Sequence, residues 1–110
     1  MSSVEPHQGE KLVLQEDCAE DKFKNGILTL TNQRIIFEKT EGTLATLSKK
    51  PGELLLDIPL DQISLCKAEG FLIKKVVITT KQNEIYKFGV FNNSKWVKEI
   101  DKVRASRNHE

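Results

Sequence analysis

The 110-residue chain is short of nearly everything that marks a membrane span, a metal site or a catalytic centre. Its longest apolar runs, such as Leu54 to Leu56 and Val76 to Ile78, fall far below the roughly 20 residues that cross a bilayer as a helix. Two cysteines, Cys18 and Cys66, and two histidines, His7 and His109, have none of the paired spacings of a zinc site, so reduced, buried thiols are expected and no cofactor. His7 and His109 lie near the two ends, and no Ser or Cys has a companion base nearby in the sequence. Catalysis is therefore not expected. Charge of one sign is lacking too, because Lys plus Arg exceeds Asp plus Glu by only one, 17 against 16. No global field draws the chain to a polyanion, and any such attraction must come from a local cluster. Aromatic residues make up 6%, and most fall on the inward side of the pattern described below, which disfavours nucleic-acid stacking. The first residues, Met-Ser-Ser-Val-Glu-Pro-His-Gln, have neither the basic nor the apolar region of a secretion signal, so a cytoplasmic location is expected.

What the chain does have is alternation. Short runs rich in β-branched and aromatic residues recur between Gly, Asn, Pro and charged clusters, the pattern of an antiparallel all-β domain. Lys11 to Cys18 reads as a first strand, and Gly26 to Thr31 and Arg34 to Lys39 as a hairpin turning on Asn32-Gln33. After a long loop from Thr40 to Glu53, which has room for a short strand near Leu44 to Leu47, the segments Leu54 to Leu60 and Gln62 to Lys67 continue the period of two. Leu54, Leu56, Ile58 and Leu60 share one face there, as do Ile63 and Leu65. Pro59 cannot donate to a ladder, so its strand belongs at an edge or a bulge. Leu72 to Thr80 and Glu84 to Phe91 make a last hairpin, with Tyr86, Phe88 and Val90 on one side. Only at the end does the period lengthen. Trp96, Ile100 and Val103 follow helical spacing behind Asn92-Asn93-Ser94, which offers N-cap residues.

With 110 residues there is one core. A single domain is expected over residues 9–106, between polar tails at 1–8 and 107–110. The expected architecture is two antiparallel sheets packed as a seven-stranded, partly open barrel, closed by one C-terminal amphipathic helix whose Trp96 plugs the core.

The stretch NGILTLTNQRIIF, Asn25 to Phe37, resembles the G-x-L-x-L-T-N-x-R-φ-φ-F signature of GRAM and related pleckstrin-homology-like domains, where φ is apolar. LLLDIPLDQISLCKAE is similar to the strands that follow in those domains, and VVITTKQNEIYKFGVFNNSKWVKEI to their closing hairpin and Trp-bearing helix. The likeness spans nearly the whole chain and extends to GLUE domains, a branch of the same fold that binds phosphoinositides and, in some members, ubiquitin. It implies a non-catalytic recognition module, with anionic membrane lipid or a protein as its partner.

A polyphosphorylated headgroup needs several cations converging on it. In conventional pleckstrin homology domains they cluster around the first loop, which here carries Lys22 and Lys24 among Glu16, Asp17, Glu20 and Asp21, so the usual basic motif is absent. The next candidates are Leu44 and Leu47 followed by Lys49 and Lys50, apolar side chains beside cations as membrane-surface segments have them, with an ordinary edge strand as the competing reading. A further basic group is Lys67 with Lys74 and Lys75, residues that serve equally as the wet face of a sheet. Arg34 and Trp96 are expected to be structural, the first pairing with a carboxylate and the second filling the core.

Overall fold

The computed structural model describes residues 7–40, 51–70 and 74–108. Seven strands are formed: β1 Leu12–Glu20, β2 Lys24–Thr31, β3 Arg34–Thr40, β4 Pro51–Pro59, β5 Ile63–Glu69, β6 Lys75–Thr80 and β7 Ile85–Gly89. A 3-10 turn at Leu60–Gln62 links β4 to β5, and the helix α1 spans Asn93–Asn108. All pairings are antiparallel, in the order β4-β3-β2-β1-β7-β6-β5. The strands form one sheet where two were expected, because β1 belongs to both halves. Most of its length pairs with β2, while its last two residues, Ala19 and Glu20, pair with Gly89 and Phe88 of β7. This short ladder is the corner at which the sheet folds over its own core.

The β2-β3 hairpin turns without glycine because Thr31 organises it. The Thr31 hydroxyl oxygen accepts from the backbone N–H groups of Gln33 and Arg34, each at 3.1 Å. Asn32 locks the turn to the entering chain, accepting from Lys11 N–H at 2.7 Å and donating to the Gly9 carbonyl at 3.1 Å. Gln33 donates to the Gln8 carbonyl at 2.9 Å. The resulting register sets Leu30 against Ile35 and Leu28 against Phe37, so all four face inward together. Gly26 is required by closeness: a Cβ there would meet the Glu38 carbonyl and come within 2.6 Å of the Phe37 ring.

The core gathers these four with Ile58, Leu60, Ile63, Val76, Ile78, Tyr86 and Phe88, and α1 adds Trp96 and Ile100 where it packs on β5 and β6. Phe37 and Phe88 meet with ring centroids 5.8 Å apart, in a tilted arrangement that aromatic pairs favour. Two alternation-based expectations fail at bulges. A register shift between Ile63 and Leu65 turns Cys66 inward and leaves Leu65 46% exposed. A second shift, between Phe37 and Glu38 on the β3-β4 ladder, leaves Leu54 exposed. Pro59 sits at the end of β4, an edge strand, where its missing N–H costs no ladder bond. The interior strand β7 stops at Gly89, so that Val90 turns into the core and Phe91 turns out.

The N-terminus of α1 is held from β1. The Glu16 carboxylate accepts from the backbone N–H groups of Phe91 and Asn92, at 2.5 and 3.2 Å, and from the Trp96 indole N–H at 2.9 Å. An anionic acceptor at a helix N-terminus also opposes the positive end of its dipole. Toward the other end of α1, Arg104 donates to the Ile63 carbonyl at 3.0 Å.

Candidate binding rim

The strand registers sort the connections between the two ends of the folded sheet. Glu20 pairs with Lys24, Gly26 with Lys39, Ala19 with Gly89 and Glu69 with Lys75. The β1-β2 turn, the departure of β3, the arrival of β4, the β5-β6 connection and the β7-α1 link therefore share one end. The β2-β3 turn, the Leu60–Gln62 turn and the β6-β7 turn occupy the other.

This sorting places Lys22, Lys24, Lys74 and Lys75 on one rim. Leu44, Leu47, Lys49 and Lys50 belong to the connection that leaves and returns at this rim, and they lie outside the described residues. A cleft of about 640 Å3 opens here, bordered by Asp21, Asn25, Lys74, Lys75, Gly89 and Phe91. Glu20 shapes it from below: it is buried, and its carboxylate accepts from the N–H groups of Lys22 and Phe23 at 2.8 and 3.1 Å, which fixes the β1-β2 turn. Lys75 Nζ reaches Asp21 at 2.6 Å and ties that turn to β6. Lys22 Nζ stands 5.3 Å from the centroid of the Tyr86 ring, within cation–π range. Lys74 is exposed and makes no ion pair with any described residue. Lys67 is set apart, exposed on β5 opposite Val77, and pairs with Glu69 at 2.8 Å, which holds the Glu69 carboxyl below its usual range.

The acidic residues that offset Lys22 and Lys24 in the sequence are partly committed elsewhere. Glu20 binds backbone N–H groups from within the cleft lining, and Glu16, which caps the helix, presents no carboxylate to a ligand approaching the rim. Asp21 does, but its pair with Lys75 is exposed on both sides, and such pairs contribute at most about 1 kcal/mol.

Neither cysteine supplies a nucleophile. Burial pushes the Cys66 thiol up to about 12 and raises Cys18 further, with Glu20 and Glu16 adding to the rise at Cys18. Arg34 sits at the far end in a network of its own. Its guanidinium grips Glu10 through Nε at 2.8 Å and Nη2 at 3.0 Å, and Asp57 through Nη1 at 2.8 Å, while Thr31 donates to Glu10 at 2.7 Å. The Arg34 and Glu10 side chains are each 4% exposed. The bond from Arg34, stronger than the opposing effect of burial, lowers the Glu10 carboxyl from 4.5 to about 2. Trp96 is fully buried and offers no ligand platform. His7, near Arg34, approaches Gln33 at 3.2 Å, and His109 lies outside the described residues.

Sequence reasoning missed Glu16, Glu10 and Phe91. For Glu16 a signal existed: it shares the inward parity of Leu14 and Cys18 on β1, where a carboxylate demands partners. Glu10 gave no such signal, since it precedes the first strand. Phe91 was hidden at the end of an apolar run read as strand.

No model of a known protein family matches the sequence, and no curated protein matches it. Solved structures do. The chain superimposes on the N-terminal PH domain of Vps36 with a TM-score of 0.70 at 16% identity, covering 94% of this chain and 86% of that one. The fold is pleckstrin-homology-like. A C-terminal domain of an unknown protein from Leishmania infantum has the same architecture, with a TM-score of 0.66 at 14% identity and coverage of 89% and 87%. Among the described residues, no helix is long and apolar enough to cross a membrane, and no group of acidic, His and Cys side chains is arranged to hold a metal ion.

Proposed function

We propose that the chain is a GRAM-like, non-catalytic adaptor that docks peripherally on anionic membrane, with phosphoinositide as the favoured lipid, on the cytoplasmic side. The observation that carries the reading is the pair Lys74 and Lys75 bordering one cleft, at the rim where the β1-β2 turn also sets Lys22 and Lys24. The GRAM-like signature forms the β2-β3 hairpin, whose strands begin and end at that rim. In this reading the phosphate oxygens take the place of Asp21 on Lys75, Lys74 and Lys22 supply further charge, and Lys49 and Lys50 approach from the β3-β4 connection. Leu44 and Leu47 join them there as apolar contacts. Each lysine held near an anionic surface contributes on the order of 1 kcal/mol. Lys67, tied to Glu69, has a lesser part.

The test is co-sedimentation with vesicles. Binding is expected to require anionic lipid and to fade at high ionic strength. It is expected to weaken roughly tenfold or more in a Lys74→Glu/Lys75→Glu variant, and likewise in Lys49→Glu/Lys50→Glu. Equal binding to neutral and anionic vesicles would defeat the reading.

One observation favours a protein partner instead, a peptide or ubiquitin. Leu65 and Ile85, 46% and 50% exposed, both pair with Thr79 across the outer face of β5, β6 and β7, beside Lys67 and Lys87. A partner caught by the parent chain, and lost with Leu65→Ser/Ile85→Ser while vesicles are ignored, would establish that alternative.

A further inference from the structure

We propose that Phe91 is a membrane-inserting anchor that sets how deeply and in which orientation the rim meets a bilayer. The inference rests on the lipid reading above and adds to it an apolar contact, a depth and a pose.

Phe91 is 91% exposed, the most exposed large apolar side chain among the described residues. Nothing loose explains this. Val90 before it is buried, Trp96 five positions on is fully buried, and the N–H groups of Phe91 and Asn92 both donate to Glu16, which also holds the Trp96 indole. The main chain beneath the ring is pinned from both sides, so little further backbone order is lost when the ring enters another phase. A side chain of this size left in water forgoes a large burial gain unless something covers it.

The surroundings specify what covers it. Phe91 borders the same cleft as Lys74 and Lys75, and Asn92 and Asn93 follow it. A single projecting ring beside cations matches the headgroup boundary of an anionic bilayer, where the ring reaches the acyl region and lysines remain at the phosphates. The ring has no aromatic contact among the described residues. Inserting Phe91 brings the N-terminal end of α1 to the membrane and turns the Arg34–Glu10 end of the sheet away from it.

The experiment uses vesicles of phosphatidylcholine doped with phosphatidylserine and phosphatidylinositol bisphosphate. Phe91→Ser is expected to bind about tenfold more weakly than the parent while melting at the parental temperature, since any residue's N–H can donate to Glu16. Phe91→Trp is expected to restore binding, and its emission is expected to shift to the blue and be quenched by bromine-labelled acyl chains; Trp96 in the parent provides the background. A Phe91→Ser variant that binds as well as a binding parent overturns the anchor and leaves the lipid reading intact. Bound Phe91→Trp that escapes the acyl-chain quencher does the same. A parent that sediments with no vesicle removes the lipid reading itself, and the anchor with it.

Discussion

Replacing Glu16 by alanine tests how the helix is joined to the sheet. The carboxylate serves three donors, and their fates differ once it is gone. The N–H groups of Phe91 and Asn92 are at the surface and regain water, so their loss is confined to the charge-assisted component of each bond. The Trp96 indole N–H belongs to a fully buried residue and is left without its acceptor. Orphaning such a donor costs about 1–3 kcal/mol. Removing the anion from the first turn adds about 0.3–1 kcal/mol. The sum is about 1–4 kcal/mol, a large part of the stability of a small domain. In urea, at about 1–3 kcal/mol per molar, it appears as a midpoint lower by about 0.5 M or more with little change of slope. Trp96 fluorescence reports the transition directly. Glu16→Gln keeps one acceptor oxygen and presents an amide to the remaining donors, so it is expected to fall between parent and alanine. Loss of less than about 0.5 kcal/mol in the alanine variant, the range of an ordinary surface substitution, would refute the assignment of Glu16 as the clasp.

Other consequences are equally direct. Because the folded Glu10 carboxyl titrates at about 2 against an ordinary 4.5, its pair with Arg34 contributes stability above pH 4.5 that is lost as pH falls toward 2. The linkage is worth up to about 3 kcal/mol, and urea midpoints followed down through this window are expected to lose most of their acid dependence in Glu10→Gln. Gly26→Ala forces a Cβ against the Glu38 carbonyl and the Phe37 ring. It is expected to destabilise by about 1–3 kcal/mol, read as a lower melting temperature, and a neutral result would show that the hairpin can shift. Asp21→Asn releases Lys75 and removes a negative charge from the rim, so anionic-vesicle binding is expected to tighten about twofold to fivefold; weaker binding would mean that Asp21 orders the site.

Much of the architecture can be read from the residue pattern because each strand carries its own alternation, and the change to helical spacing after Asn93 is equally local. The polar step Asn32-Gln33 marks its turn locally, although the bonds that lock it reach back to Gln8, Gly9 and Lys11. What could not be read depended on pairing across the chain. The two bulges that expose Leu65 and Leu54 are mismatches between strands, and neither strand alone reveals them. The corner that merges two expected sheets into one rests on two residue pairs between β1 and β7, nearly 70 residues apart in sequence. The same holds for the site. Lys74 and Lys75 were visible as charges but not as neighbours of Asp21, Asn25 and Gly89. Their convergence required the register, and Phe91 emerged only when β7 was seen to end two residues before it.

The most direct measurement is an amide chemical-shift titration of the isotope-labelled chain with soluble inositol bisphosphate. The account predicts that the perturbed amides cluster at Asp21, Asn25, Lys74, Lys75 and Gly89, around the cleft. Perturbations confined to Leu65, Thr79 and Ile85 on the outer face, or to Gln33 and Arg34 at the opposite end, would contradict it.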